Sequence, residues 1–340
     1  MRDLLLKLCN RCDLTREESR FAFSSIMSGE ASEAQIGALL VGLASKGTTV
    51  DELVGAALVM REKATRIDVG CDPTSDVVLD TCGTGGDVRG TFNISTAAAL
   101  IAAAAGVKVV KHGNRSASSK SGSADVLEAL GVKLDVSADC LKQSLDEANI
   151  CFAFARHHHP AMKFVSSART SLGIPTIFNI LGPLTNPGGA RHQLLGVFTP
   201  ELTERLAHVL RELGSVRAWV VHANDGLDEL STMSPTRVSE LKDGQVSTWM
   251  VDPAELGLAR ANLSELQVDS ADESAAMLRS IFGGTKSPAR DIALPNAAAA
   301  LVVAGKAKDL SSGLAIASDA VDSGKAQATL EALVRCTRSA

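Results

Sequence analysis

The run Asp80 to Thr96, DTCGTGGDVRGTFNIST, joins a cluster of glycines to an acid and then to a group of helix-start donors. That combination suits an anion with several oxygens. Gly83, Gly85 and Gly86 free the backbone to take positive φ and to approach a ligand without Cβ clashes, so that their N–H groups converge on it. Asn93, Ser95 and Thr96 add side-chain and backbone donors at the positive end of a helix. The elements that must hold this turn are legible on both sides. Val77 to Leu79 is short, apolar and β-branched, which predicts a buried strand, and Ala97 to Gly106 (AAALIAAAAG) predicts a helix packed on its sheet. The spacing is neither GxxxxGK[ST] nor GxGxxG, so the turn is not a Walker loop or a dinucleotide fingerprint.

A second donor-rich loop follows the next apolar strand, Val107 to Val110. It reads KHGNRSASSKSGS from Lys111 to Ser123 and precedes a helix that Ser123 is expected to cap. Two successive strand ends with polar loops on one sheet edge are where open α/β folds place ligands. A third such end is Asn224 to Glu229, NDGLDE, after a strand over Arg217 to Val221. Its three carboxylates are either a solvated turn or a magnesium site. Mg²⁺ prefers one or two protein carboxylates completed by water and phosphate oxygens, so acids facing a phosphate loop are chemically sensible.

Together, GTGGD (83–87), NIST (93–96), KHGNR (111–115), SGSADVLEALG (121–131), HPAMK (159–163), TIFNILGPLTNP (176–187) and DGLDE (225–229) resemble the anthranilate phosphoribosyltransferase family, a similarity that runs on to DSGKA at 322–326. The resemblance implies a magnesium-dependent transfer of phosphoribose from 5-phosphoribosyl-1-pyrophosphate (PRPP) to the amino group of anthranilate. The products would be N-(5-phosphoribosyl)anthranilate and pyrophosphate, within L-tryptophan biosynthesis. It implies PRPP contacts at Gly83, Gly86, Asp87, Thr91, Asn93, Ile94, Ser95, Thr96, the loop Lys111, His112, Gly113, Asn114, Arg115, Ser116, Ala117, Ser118 and Ser119, and Ser123. It further implies two Mg²⁺ per subunit on Ser95, Asp228 and Glu229, anthranilate contacts at Gly83, Asn114 and Arg169, and a homodimer formed through the N-terminal helices. Leu4, Leu5, Leu39 and Leu40 are apolar positions that would suit that interface or an intradomain core.

Two departures from the family pattern lie near the anthranilate side. Arg156 stands where a proline is usual, and Pro175 replaces a residue that is commonly basic. They bear on pocket shape and not on the reaction. His157-His158-His159 invites a metal reading, but on an extended chain adjacent side chains point to opposite faces and cannot all meet one ion. No residue of the chain is singled out as a nucleophile or general base; a lone loop histidine such as His112 is more often a structural donor. A nucleoside phosphorylase of similar architecture would carry different phosphate and base loops. A non-catalytic relative that binds nucleic acid would have lost these acids and gained basic surface.

The 340 residues, 45% hydrophobic, exceed a typical single domain and predict two. The net charge of −5 offers no footprint for nucleic acid. Seven cysteines scattered through apolar stretches suit free thiols in a reducing cytoplasm, and Cys9-x-x-Cys12 lacks a second ligand pair. Nothing reads as a membrane span, since the apolar stretch 97–110 is short and interrupted. Residues up to about 70 carry three capping-box signatures, Thr15/Glu18, Ser32/Gln35 and Thr49/Glu52, each before an apolar run. From Val77 onward strands and helices alternate, with a hairpin turning at Lys242-Asp243-Gly244. The expected fold is a small N-terminal all-helical domain, 1–72 with a return segment near 163–190, and a larger α/β phosphoribosyl-binding domain with a mostly parallel sheet, 73–162 and 191–340. The prolines between His159 and Asn186 mark the crossing, and the resemblance puts the active site in the cleft between domains.

Overall fold

The three capping boxes form as the sequence spacing predicts. In a computed structural model that describes residues 1–70, 72, 76–116 and 120–339, the helices Arg16–Met27, Glu33–Lys46 and Val50–Lys63 start at Thr15, Ser32 and Thr49, each with reciprocal side-chain and backbone bonds. Each box satisfies two N–H groups that a helix end leaves without partners. Glu52 does more than cap. Fully buried, it also accepts from the Leu14 N–H at 2.9 Å and from Lys46 Nζ at 3.0 Å, tying three segments together. Phe23, Ile26, Leu39, Leu40, Leu43 and Leu53 fill the interior of this bundle, which the helix Arg2–Cys9 completes. Leu4, Leu39 and Leu40 are therefore core residues and Leu5 is half-buried against that core, so these side chains are not free to form an interface. The exposed apolar residues of the bundle are Leu6, Phe21 and Val41.

The second unit is a seven-stranded sheet, β1 Val78–Gly83, β2 Lys108–Gly113, β3 Ile150–Phe154, β4 His192–Gly196, β5 Arg217–Ala223, β6 Thr236–Lys242 and β7 Gln245–Val251, in the order β3-β2-β1-β4-β5-β6-β7. The first five are parallel and β6 and β7 are antiparallel. The β6–β7 hairpin turns at Asp243 and Gly244 with φ +50° and +74°, the double positive φ of the turn that matches strand twist. The order of strands reverses between β1 and β4, and the loops that follow β1, β2 and β5 open on the same edge of the sheet.

Both apolar strands run further than their hydrophobic residues predict. β1 continues through Asp80 to Gly83 because Gly83 pairs with Gly196, and β2 continues through Lys111 to Gly113 because Lys111 pairs with Phe152. The parallel ladder, and not side-chain polarity, sets these ends. The helix after the glycine turn is Ile94–Ala104, starting three residues earlier than expected; its alanines let it lie close against the helix Pro288–Val303. Ser123 is the first residue of its helix and not the cap. Gly122 is the cap, and its N–H is held by Asp125 at 3.0 Å.

Between β3 and β4 the chain returns to the helical bundle. The helix Lys163–Leu172 buries Val165 and Ala168 against Glu33–Lys46, and the Phe178 ring meets Phe23 edge-on at 5.8 Å. One apolar cluster thus runs from the bundle through the return segment to β4, β5 and the helix Glu201–Glu212. Among the described residues no helix is long and apolar enough to cross a membrane.

Candidate active site

Past the end of β1 the chain turns with φ +63° at Gly85 and +88° at Gly86, conformations open to glycine at little cost. Gly83 is required for a different reason: a Cβ there would come within 2.7 Å of Asp228 Oδ2. The strand end and the acid share that space. Asn93 precedes the helix without capping it. Its amide is engaged sideways, donating to the Ser121 carbonyl at 3.1 Å and accepting from Ser121 Oγ at 2.7 Å and Ser274 Oγ at 2.8 Å. No side chain caps the helix start from the Asn93 position; the Glu229 carboxyl faces the Ser95 N–H of its first turn. Thr96 Oγ1 is buried there with no partner among the described residues. Thr91 forms an isolated bridge with Gln267, which anchors the loop.

Opposite this helix end stand Asp228 and Glu229. The Asp228 carboxyl faces the Gly85 N–H, and the Glu229 carboxyl faces the Ser95 N–H. Burial first, and then repulsion from Asp87, push the Asp228 carboxyl up to about 7. Glu229 is pushed up by the same burial and by Asp228, and Asp87 is also raised, chiefly by burial. Asp228 and Glu229 retain partial solvent access, so water screens part of this cost, while its direction stands. Lys111 is 2% exposed and donates to the Thr81 carbonyl at 2.6 Å and to Ser95 Oγ at 3.3 Å. Burial pulls its ammonium pKa down, against the attraction of Asp80. Asp225 turns away: it accepts from Ser231 Oγ and from the Leu227 N–H. Of the three acids in DGLDE, the first is thus a turn residue and the other two face the glycine loop.

These residues fit a magnesium site of the substrate-completed kind. Two crowded carboxylates with raised pKa and the Ser95 hydroxyl would gain from a divalent cation. No group of three His, Cys, Asp or Glu side chains among the described residues is arranged to hold a metal by itself. Such a cation would take its remaining ligands from water and phosphate oxygens.

The second loop leaves β2 at Gly113. The Asn114 carbonyl accepts from the Ala124 N–H at 3.2 Å and its Oδ1 accepts from the Arg115 N–H at 2.9 Å. Arg115 pairs with Asp125 at 2.9 Å and Glu128 at 2.5 Å and lies over Phe154, and both acids hold its pKa above the usual value. The Ser116 N–H donates to Asp125. Ala117, Ser118 and Ser119 lie outside the described residues.

A cavity of about 650 Å³ joins the sheet edge to the return segment, with Gly83 and Asn114 on one wall and Arg169 and Phe178 on the other. Arg169 has no acidic partner among the described residues. Its guanidinium lies 5.4 Å from the Phe178 ring centre, and burial lowers its pKa without removing its charge. A half-buried guanidinium with no acidic partner among the described residues, beside aromatic and apolar walls, suits a planar carboxylate. Arg156 also borders this cavity, while Pro175 lies exposed outside it.

Sequence reasoning missed two features. Asp80 is fully buried behind the site, accepting from the His112 N–H at 3.1 Å and from Asn186 Nδ2 at 2.8 Å. His159 reaches His112, with their Nε2 atoms 3.2 Å apart, and both rings line the cavity. The three histidines do fail to converge on one ion, but for another reason than the one expected. Ala155–His158 is a helical turn, not an extended chain. His157 lies near Asp135, His158 Nδ1 pairs with the Thr65 carbonyl, and His159 meets His112. The HPAMK run held the only sequence signal for His159.

Comparison with known proteins shows the family of the chain. The glycosyl transferase family helical bundle domain matches residues 2–64, and the glycosyl transferase family a/b domain matches 75–327. Anthranilate phosphoribosyltransferases from Desulfatibacillum aliphaticivorans and Thioalkalivibrio sulfidiphilus are 51% and 50% identical to this chain, covering 99% and 100% of it and 98% and 99% of their own lengths. The crystal structure of the Thermus thermophilus anthranilate phosphoribosyltransferase has a TM-score of 0.91 at 41% identity, covering 98% of this chain and 99% of that one. The Saccharomyces cerevisiae enzyme in complex with PRPP and Mg has a TM-score of 0.88 at 27% identity, over 99% and 97%. With two domain models covering most of its length and full-length relatives at half identity, the chain belongs to the anthranilate phosphoribosyltransferase family.

Proposed function

We propose that this protein transfers the 5-phosphoribosyl group of PRPP to the amino group of anthranilate, with release of pyrophosphate, in L-tryptophan biosynthesis. The observation that carries the reading is a cavity with Gly83 and Asn114, next to the strand end that Asp228 approaches, on one wall and a half-buried Arg169 without an acidic partner among the described residues on the other. PRPP belongs on the sheet edge. There Gly83, Gly86, Asp87, Thr91, the turn Asn93 to Thr96, the loop from Lys111 through Ser119 and Ser123 supply amide, hydroxyl and ammonium donors. Anthranilate belongs between Gly83, Asn114 and Arg169, its carboxylate on the guanidinium.

In the transfer the amine nitrogen bonds to C1′ of the ribose, the bond from C1′ to pyrophosphate breaks, and the amine loses a proton. Magnesium, two ions per subunit on Ser95, Asp228 and Glu229, supplies neutralisation of the pyrophosphate charge when bound. The chain's own residues hold the two substrates in line and offer Lys111 and the helix N-terminus to negative charge. Placing the reaction between the helical unit (1–72 with 163–190) and the α/β unit (73–162 and 191–340) gives the return segment its purpose: it brings Arg169 to the sheet edge. A homodimer through the exposed face of the bundle and a cytoplasmic location accompany this reading. Mixing the protein with PRPP, magnesium chloride and anthranilate tests it. Anthranilate fluorescence should fall in step with pyrophosphate release, and only with all three present; pyrophosphate release that ignores anthranilate would refute it.

A further inference from the structure

A second cavity, of about 190 Å³, lies beside β3, the edge strand of the sheet, and shares no lining residue with the substrate cavity. Its floor is apolar. Leu134, Leu141, Phe152 and Phe154 are all buried there, and the two phenylalanine rings lie 6.3 Å apart and 24° from parallel. Its rim is polar. Arg66 stands on it exposed, with no acidic partner among the described residues, and the His157 ring meets Phe154 edge-on at 5.1 Å. Thr65 and His158 fasten the rim by two bonds: the Thr65 N–H donates to the His158 carbonyl at 2.8 Å, and His158 Nδ1 lies 2.9 Å from the Thr65 carbonyl.

Size and lining select the ligand. A dry apolar cavity of about 150 Å³ holds one benzene ring, so this one has room for a ring and a short tail. Stacked phenylalanines and an edge-on imidazole offer faces and edges on which an aromatic ring packs. Asp135 lies 3.9 Å from His157 Nε2, which leaves Arg66 as the lining cation to meet an anionic tail, and its planar fork suits a carboxylate.

The same two phenylalanines back the loop assigned to PRPP. A Cβ at Gly113 would come within 2.8 Å of Phe152 Cε2, so the ring and the strand end are already in contact. Gly113 pairs with Phe154 in the ladder, and the Arg115 guanidinium lies 5.8 Å from the Phe154 ring centre. A group that presses on these rings from the cavity therefore presses on Gly113 and Arg115.

We propose that this cavity is a regulatory site for a single-ring aromatic carboxylate, which weakens PRPP binding by pushing Phe152 and Phe154 against Gly113 and Arg115. The effect on PRPP rests on the placement of that substrate proposed above; the binding does not.

The probe is 4-fluorophenylacetate, followed by the width of its ¹⁹F signal while saturating anthranilate fills the substrate cavity. Broadening should persist in wild type and vanish in Ala138→Trp. Ala138 lines the cavity, exposed at the first position of the helix Ala138–Ala148, where a larger side chain plugs the site without entering the core. Arg66→Ala should need roughly tenfold more probe, the lower end for a hydrogen bond to a charged group. In turnover assays at saturating anthranilate the probe should raise the KM for PRPP about fivefold in wild type, the low end of allosteric coupling, and stay within about twofold in Ala138→Trp. Loss of the signal when anthranilate is added would put the probe in the substrate cavity and overturn the site, as would equal binding by wild type and both variants. Binding that leaves the KM for PRPP unchanged overturns the regulation. Absence of wild-type turnover would overturn the transfer reaction and the regulatory effect with it, while the binding measurements still decide the site.

Discussion

Asp225, Asp228 and Glu229 illustrate how acidic side chains split into two roles within five positions. Asp225 is folded into its own turn by Ser231 and Leu227, while Asp228 and Glu229 are turned toward the glycine loop and crowded there. A carboxyl whose folded pKa is raised favours the folded state at pH values below its ordinary value, and that contribution is lost as pH rises through the folded value. Metal-free protein should thus lose stability as pH climbs from about 4 through the Asp228 value of about 7. The double variant Asp228→Asn, Glu229→Gln should not show that loss in thermal melts with chelator, and its melting temperature at pH 8 should equal or exceed that of wild type. The same variant should require far more magnesium and PRPP for turnover. Wild-type rates at limiting magnesium would contradict the role given to these acids. The types and spacing of these acids are legible in the sequence. Which of them points inward is not, because that depends on a turn closed by Ser231, outside the motif. His159 is illegible for a similar reason, since its partner lies 47 residues away.

At the scale of elements, local chemistry is open to sequence reading and ladder-dependent chemistry is not. The three capping boxes appear where S/T-x-x-E/Q spacing puts them, because a cap needs only four consecutive residues. Hydrophobicity alone ends β1 and β2 too early, since Asp80, Lys111 and His112 are polar residues that remain in the ladder through pairing with distant strands. Ser123 has the residue type of a cap, yet Gly122, with Asp125 behind it, does that work. The capping boxes are also unequal. Thr49→Ala should cost about 1 kcal/mol, the ordinary loss of a cap. Glu52→Ala should cost about 3 kcal/mol, because it leaves the buried Leu14 N–H without its acceptor and the Lys46 ammonium with only Asp13 and the Gly47 carbonyl. Urea unfolding of both variants measures the difference, and equal losses would show that Glu52 is only a cap.

At the scale of the whole molecule, the two-unit organisation is visible in the shift from helical to alternating patterning near residue 70, and the prolines of 160–187 mark the crossing. What the sequence leaves open is how the bundle presents itself. Leu39 and Leu40 fill its core, and Leu6, Phe21 and Val41 remain outside. Light scattering at micromolar concentration should give twice the 35.4 kDa of one chain, and Phe21→Glu should shift that mass toward one chain. A wild-type mass of one chain would contradict the dimer.

In the proposed reaction the return segment matters most, because it carries Arg169 to the cavity beside the sheet edge assigned to PRPP. The steady-state kinetics of Arg169→Ala, with each substrate varied in turn, test that division of the cleft. Loss of a charge-assisted grip on a carboxylate is worth about 1.5–3 kcal/mol, which corresponds to a rise of roughly 10- to 150-fold in the KM for anthranilate. The KM for PRPP should stay within about twofold. A variant that loses PRPP affinity and keeps its affinity for anthranilate would place Arg169 on the phosphate side and contradict the account.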